Sequence, residues 1–388
     1  MGNLTIELSG RIDGSNSEET GARIFEELKK EHDSLIFDAQ KLEYISSTGL
    51  RVLLKAIKQE EANGNSRVVI LNVSSEVYEI FEMTGFDSMM DVKKAYRSIS
   101  VDGCEVIGKG FFGTVYRIDE ETIVKVYKGK DSIPRIENEK KMAKAAFVKG
   151  IPTAISYDIV KVGEDYGSVF EMLKAKPLND MIRDNDKDRD TLIREYVELL
   201  KQIHSTKMDE GVLPEAKNVF LDSLYELKDI LSVTQIGNIR KLIVLLPQDM
   251  SMVHGDIQMR NVMICDGEPM IIDMDTLATG GPIFDLQGLY VTYKIFKEDE
   301  PDNSEKFLGI SGELSDYIWD KVMEYYFETD DREVLDRIED KIRVLAYVRF
   351  LYIIYTSDLK EGELGRLRIE HSKEHIDELL ERVEDLEF

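Results

Sequence analysis

The chain reads Val253-His-Gly-Asp-Ile-Gln-Met-Arg-Asn-Val262, then a short apolar stretch, then Ile271-Ile-Asp273. This spacing restricts the fold more than any other feature. A carboxylate, an amide five residues on and a second carboxylate beyond a hairpin are useful together only if the hairpin returns to the loop. Phosphoryl transfer asks for that set: one carboxylate to orient and deprotonate an acceptor hydroxyl, and hard oxygen ligands to hold magnesium on phosphates. Asp256 suits the first role, and Asn261 and Asp273 suit the second as metal ligands. His254 reads as a brace for the loop rather than a reacting group. The plainer alternative, a loop aspartate and a helix-capping asparagine, leaves the upstream pattern unexplained.

That upstream pattern begins at residues 108–115, Gly-Lys-Gly-Phe-Phe-Gly-Thr-Val, where Gly108, Gly110 and Gly113 let a backbone bend closely over phosphates. A dinucleotide fingerprint would open a helix, but Thr114-Val-Tyr-Arg-Ile continues as a strand. The run Gly103 to Gly110 approaches a P-loop, yet Gly110 stands where a magnesium-binding Ser or Thr belongs. A glycine-rich hairpin over ATP fits better than either. The next strand, Ile123-Val-Lys-Val-Tyr127, points Lys125 to one side and Val124 and Val126 to the other. Lys125 reads as a phosphate ligand that needs an acidic partner. Glu137 and Glu139 both lie on the following helix, and Glu139 is preferred although spacing barely separates them.

Length and composition set the frame. The chain has 388 residues, enough for two or three domains at roughly 100–200 residues each. No apolar run approaches the roughly 18 residues of a membrane span. The first residues, MGNLTIELSG, show neither a basic region nor an apolar one, so no secretory signal is expected. Cys104 and Cys265 share no spacing pattern, and His32, His204, His254, His371 and His375 form no ligand cluster. A cytoplasmic location is the expectation. The formal charge of −26 argues against a general affinity for nucleic acid. Residues 1–100 hold 12 basic and 17 acidic side chains, so most of the surplus lies beyond them.

Along the chain, the first hundred residues alternate strand and helix signals. Leu4 to Ile12 alternates as a half-buried strand, Glu18 to Lys30 has helical spacing, and Leu35 to Asp38 is a short buried strand. Ser47 to Ala62 is a helix, Val68 to Leu71 a strand, and Ser74 to Thr84 a helix stopped by Gly85. A boundary is expected near residue 100, giving domains 1–98 and 101–388. Beyond it, Cys104 to Lys128 reads as an antiparallel hairpin turning at Asp119-Glu120-Glu121. A helix over Ile133 to Lys149 follows, then strands near Ile155–Val162 and Gly167–Leu173. Helices dominate after Pro177, interrupted by loops from about 253 to 285.

With these motifs in place, residues from about 104 to 290 resemble the aminoglycoside phosphotransferase and choline kinase-like superfamily, relatives of protein kinases. That family has H-G-D in its catalytic loop and I-D-x-x at its metal-binding aspartate, as in His254-Gly255-Asp256 and Ile272-Asp273-Met274-Asp275. Leu200-Lys-Gln-Ile-His204 is similar to the family's helix before that loop. Gly281-Pro-Ile-Phe-Asp-Leu286 is similar to the segment after it, where Asp285 would be structural. The resemblance implies a bilobal α+β kinase-like domain, with a small β-rich lobe over about 101–173 and a helical lobe over about 174–388. It also implies ATP with Mg2+, and a hinge at Phe170-Glu-Met-Leu173 whose Glu171 and Leu173 main-chain groups face adenine.

The N-terminal part resembles a STAS domain, the α/β fold of bacterial anti-sigma-factor antagonists. Leu42-Glu-Tyr-Ile-Ser-Ser-Thr-Gly-Leu-Arg-Val-Leu-Leu54 and Glu82-Met-Thr-Gly-Phe86 carry that resemblance. Ser47 aligns with the family's switch serine, but Ser46 stands where an aspartate is usual. Serine also caps helices well, so Ser46 and Ser47 have a purely structural alternative. Together these readings describe an enzyme that moves the γ-phosphate of ATP to a hydroxyl of a small molecule of the aminoglycoside, amino alcohol or sugar class. The STAS-like domain would regulate it or dock a protein partner. The alternative is a signalling kinase that acts on a protein serine, such as one in a STAS domain.

Overall fold

The computed structural model describes residues 2–64, 68–110, 113–129 and 132–388. The chain divides into two units. One holds the residues up to Gly103 together with Ile159–Gly167, and the other holds Cys104–Asp158 and Ser168–Phe388.

The first unit is built on four parallel strands in chain order: Asn3–Ile12, Ser34–Ile45, Val68–Val73 and Asp91–Lys94. Parallel neighbours need crossover connections, and the helices Ser17–Glu27, Ser47–Ala62 and Ser75–Thr84 supply them. Alternation along the first strand buries Ile6, Leu8 and Ile12 against Leu53, Ile57 and Phe81 of the helices. The second strand is longer than the expected Leu35–Asp38. Its pairing with the first shifts register twice, between Glu7 and Ser9 and between Gly10 and Arg11. These irregularities absorb the polar Gln40-Lys41 and return Leu42 and Ile45 to the buried face. Gly49 lets the Ser47–Ala62 helix start against the strand ends, since a β-carbon there would lie 2.9 Å from the Ile12 carbonyl oxygen. Gly85 closes the Ser75–Thr84 helix at φ +74°, as expected. A short strand, Arg97–Ile99, pairs in parallel with residues 160–162, and Tyr96 meets the Tyr166 ring edge-on at 5.2 Å. A cut at residue 100 separates Arg97–Ile99 from this pairing.

In the second unit, Glu105–Lys109, Gly113–Arg117 and Thr122–Tyr127 form an antiparallel meander. The two turns expected from the sequence, the glycine-rich one and that at 119–121, join these strands in order, and Phe111 and Phe112 of the first lie outside the described residues. The helix Ile133–Val148 follows. Helices predominate after Pro177, as the sequence pattern indicated. The Ile283–Tyr293 helix is buried on nearly every side, and Arg332–Thr356 packs along it. None of the described helices is long and apolar enough to cross a membrane.

One buried polar pair in the first unit makes its stability sensitive to pH. His32 Nδ1 lies 2.6 Å from the Lys30 carbonyl oxygen and Nε2 lies 2.8 Å from the Glu60 carboxylate, with both side chains almost wholly buried. Two acceptors facing both ring nitrogens favour the imidazolium. Burial opposes the charge, but the Lys30 carbonyl and Glu60 outweigh it, and the His32 pKa is raised. A raised folded-state value stabilises the fold fully below the unfolded pKa of about 6.5, and that contribution fades as pH rises through the folded value. Hydrogen-exchange protection of the Ser47–Ala62 helix is therefore expected to fall as pH rises above about 6.5, once the intrinsic pH dependence of exchange is corrected. In His32→Gln the fall should be absent. An equal fall in both proteins would show that the pair contributes nothing.

Candidate active site

The last strand of the meander, Thr122–Tyr127, sets the first element of the site. Val124 and Val126 are buried, so Lys125 emerges on the opposite side. Its Nζ lies 3.1 Å and 3.3 Å from the two Glu139 carboxylate oxygens and 2.6 Å from Asp273 Oδ1. Glu139, rather than Glu137, is the carboxylate that Lys125 meets. Burial works against the ammonium, but Glu139 and Asp273 more than offset it and raise the Lys125 pKa. Burial pushes the Glu139 carboxyl up, against the pull of Lys125 and of Tyr127, whose hydroxyl donates to Glu139.

The helix that carries Glu139 makes a second attachment one turn earlier. Arg135 Nη2 and Nε reach Asp275 Oδ2 at 2.5 Å and 3.1 Å. Positions i and i+4 share one helix face. Arg135 and Glu139 thus hold the two ends of the Asp273-Met-Asp275 segment, one directly and one through Lys125. Asp273 itself sits at φ +65°, a left-handed conformation that aspartate tolerates better than most residues.

The catalytic-loop motif hangs from Asp285. This buried carboxylate accepts from the His254 amide at 2.9 Å, the Gly255 amide at 2.5 Å and His204 Nε2 at 3.0 Å. Burial alone would push its carboxyl up, but the His204 and backbone donors keep it below the usual carboxylate range. Gly255 has φ +84°, and a β-carbon there would lie 2.8 Å from the Thr276 carbonyl oxygen. Glycine is therefore required between His254 and Asp256. His254 accepts from the Asp256 amide through Nδ1 at 3.2 Å, which makes it a brace within the loop.

Asp256 is held from two sides. Asn261 Nδ2 donates to its main-chain oxygen at 2.8 Å and to Oδ2 at 3.2 Å, and Gln258 Nε2 lies 3.3 Å and 3.4 Å from its carboxylate oxygens. Burial raises the Asp256 pKa, with Arg349 and His254 opposing and Asp273 reinforcing the shift. The Ile272 amide donates to the Asn261 carbonyl at 2.9 Å, which fastens the hairpin's return strand beside the loop. An oriented carboxylate of raised pKa beside an amide and a second carboxylate can remove a proton and offer hard oxygen donors. Among the described residues there is no cluster of three or more His, Cys, Asp or Glu suited to a metal. A cation here would draw on Asn261, Asp273 and non-protein oxygens.

The remaining expected residues lie at the edges. Gly110 N donates to the Gly113 carbonyl at 2.9 Å across the glycine turn. A β-carbon at Gly113 would collide with the Val126 carbonyl oxygen at 2.6 Å, whereas Gly108 and Gly110 face looser surroundings. Glu171 ends its strand, and the Met172 amide donates to the Glu121 carbonyl at 2.7 Å. In a trans peptide the Glu171 carbonyl then points away from Glu121, and Leu173 follows. Sequence reasoning missed Tyr127, Arg135, Asp275, Gln258 and Arg349 as parts of the site. The repeated aspartate in Ile-Asp-Met-Asp275 and the helical spacing of Arg135 and Glu139 were the available signals.

Asp285→Asn would turn one acceptor oxygen into a donor facing the same N–H groups. Leaving a buried pair broken typically costs about 3–5 kcal/mol. Urea unfolding of the full chain should show a lower midpoint with an unchanged slope for the second unit. An unaltered midpoint would remove Asp285 as the anchor of the loop.

Comparison with known proteins finds two families, one on either side of residues 101–102. Residues 1–100 match the STAS domain, and residues 103–307 match the phosphotransferase enzyme family. BtrV of Bordetella bronchiseptica, which carries the name of an anti-sigma factor antagonist, is 34% identical over 92 residues, covering 24% of this chain and 78% of that protein. Among solved structures, a choline/ethanolamine kinase family protein from Mesorhizobium loti aligns at a TM-score of 0.48 and 16% identity, over 72% of this chain and 89% of its own. The ADP-bound aminoglycoside phosphotransferase APH(2'')-Ib aligns at a TM-score of 0.47 and 18% identity, over 78% and 98%. The chain thus carries a STAS domain at its N-terminus and belongs, through the larger part that follows, to the phosphotransferase enzyme family.

Proposed function

We propose that the second unit transfers the γ-phosphate of ATP to a hydroxyl group of a small molecule. The observation that carries this reading is the meeting of two held groups. Asp256 is oriented by Asn261 and Gln258, and Lys125 is seated between Glu139 and Asp273. In the proposed reaction the acceptor oxygen attacks the γ-phosphorus, the bond to the bridging oxygen breaks, ADP leaves, and the hydroxyl proton passes to Asp256. Lys125 places its charge on the nucleotide phosphates, and the turn through Gly108, Gly110 and Gly113 covers them. Glu171 and Leu173 offer main-chain groups to adenine. Asn261 and Asp273 would hold Mg2+, which neutralises charge developing on the phosphates. The acceptor belongs to the aminoglycoside, amino alcohol or sugar class, in keeping with the names of the aligned structures. Two free cysteines, Cys104 and Cys265, fit a reducing cytoplasm.

The first unit is proposed to regulate the enzyme or to dock a partner. Ser46 caps the Ser47–Ala62 helix through the Gly49 amide, while Ser47 is the first helical residue, exposed, its hydroxyl free of hydrogen bonds among the described residues. That exposed hydroxyl favours a second reading, in which a protein serine of this kind is the acceptor. A phosphate on Ser47 would sit at the positive end of the helix, where free amides stabilise an anion.

Three sets of measurements check these roles. Asp256→Asn should lower turnover by about a hundredfold or more and leave nucleotide binding nearly intact. Asp273→Ala and Lys125→Ala should weaken magnesium–nucleotide binding. Near wild-type turnover in Asp256→Asn would end the assignment. Arg135→Met should raise the ATP concentration for half-maximal rate by about tenfold, the loss of one charge-assisted pair. Asp275→Asn should do the same, and the double variant should be no worse than either single one. Additive losses would mean that the pair does not act as a unit. For the first unit, Ser47→Ala should keep its melting temperature, because Ser46 makes the cap, and Ser47→Asp should change phosphotransfer rate or partner capture. Stability lost in Ser47→Ala alone, with rate and capture unchanged, would reduce Ser47 to a structural residue.

A further inference from the structure

Arg349 is a cation with no partner assigned to it. It lies on the Arg332–Thr356 helix between Val348 and Phe350, both buried, and is itself half-buried. Its guanidinium crosses the adjoining helix at Gly288. A β-carbon on Gly288 would lie 3.7 Å from Arg349 Nη1 and 3.3 Å from the Gly255 carbonyl oxygen. The missing side chain at 288 therefore brings the guanidinium up to the catalytic loop, one residue from Asp256. Among the described residues Arg349 makes no hydrogen bond or ion pair. Arg343 on the same helix shows the usual outcome in so acidic a chain, since it pairs with Asp340 at 3.0 Å. A half-buried guanidinium whose charge acts on Asp256 but whose N–H groups donate to no acceptor among the described residues is a fork of donors suited to an oxyanion.

We propose that Arg349 receives an anionic group of the phosphoryl acceptor, a carboxylate or a phosphate ester, while Asp256 takes its hydroxyl. This deepens the phosphotransferase reading and rests on it. Of the three classes named above it selects the sugars and simpler polyols, in their acid or phosphate forms, and it sets aside the aminoglycosides and amino alcohols, whose nearest charge is an ammonium. A charge-assisted pair of this kind is worth roughly tenfold to a hundredfold in kcat/KM.

Two scaffolds in four charge forms test the assignment on the full chain with magnesium and ATP. One set is glycerol, glycerate, glycerol 3-phosphate and 2-amino-1,3-propanediol. The other is glucose, glucuronate, glucose 6-phosphate and glucosamine. Phosphorylated product is measured for each. The wild type should favour an oxyanion member over its neutral counterpart by about tenfold or more in kcat/KM. The carboxylate and phosphate arms show which anion is taken. Arg349→Met should bring that ratio close to one by raising KM for the anion, Arg349→Lys should keep part of it, and Arg349→Glu should turn it toward the amine. No preference for the oxyanion members in the wild type overturns the proposal. So does an Arg349→Met variant in which all acceptors lose rate in proportion, because Arg349 would then act on the chemistry and not on the acceptor. The two levels fail separately: no phosphorylated product from any acceptor counts against the phosphotransfer reading, product that survives Asp256→Asn counts against Asp256 as its base, and product without an oxyanion preference counts against Arg349 alone.

Discussion

Three donors converge on the carboxylate of Asp285: the amides of His254 and Gly255 and the ring of His204. This arrangement ties the catalytic loop to two helices that are themselves deep in the core. Water is excluded from the carboxylate, so its charge is tolerated only while all three donors stay in place. The direction of the Asp256 side chain follows from this. Its own amide is taken by His254, its main-chain oxygen by Asn261, and the glycine before it is pressed against Thr276. The loop is thus held by its backbone, and its Asp256 carboxylate accepts from the side-chain amides of Asn261 and Gln258.

The upper part of the site depends on charge more than on packing. Lys125 stands between two carboxylates carried by different elements, and the helix that supplies Glu139 also grips Asp275 through Arg135. Tyr127 adds a neutral donor to Glu139 from the strand that carries Lys125. A nucleotide that claims the Lys125 charge would release Asp273 from it, and Arg135 would still hold the segment by its other end. Seating of the helix, the strand and the Asp273-Met-Asp275 segment is therefore coupled through these pairs.

The motifs that brought the candidate residues to notice stand out because phosphoryl transfer asks for residue type and spacing together. His254-Gly255-Asp256, Asn261, Asp273 and Lys125 could be named from the chain, and the preference for Glu139 over Glu137 agrees with the geometry. Strand and helix order followed from periodicity, and the STAS and kinase-like units from their motifs. What failed was local. The Ser34–Ile45 strand was cut short because Gln40-Lys41 breaks the alternation that bulges restore. Arg349 gave no signal in the sequence, and the spacing of Arg135 to Glu139 gave only a shared helix face. Each gains its meaning from a residue far away in the chain, Gly288 for one and Asp275 for the other, and no local pattern announces such pairs.

The first unit is discontinuous in the chain, and this bears on the order of its assembly. Its four parallel strands are complete once Lys94 has been made, but the strand Arg97–Ile99 pairs only with residues 160–162. At roughly 5–20 residues per second of synthesis, that short strand waits on the order of seconds with an open edge. The unit that is first to leave the ribosome is thus finished by a segment embedded in the sequence of the next one. Its completion time is set by translation and not by its own folding rate, so a pause in synthesis between residues 100 and 160 would delay the closing of a unit whose four parallel strands are already made.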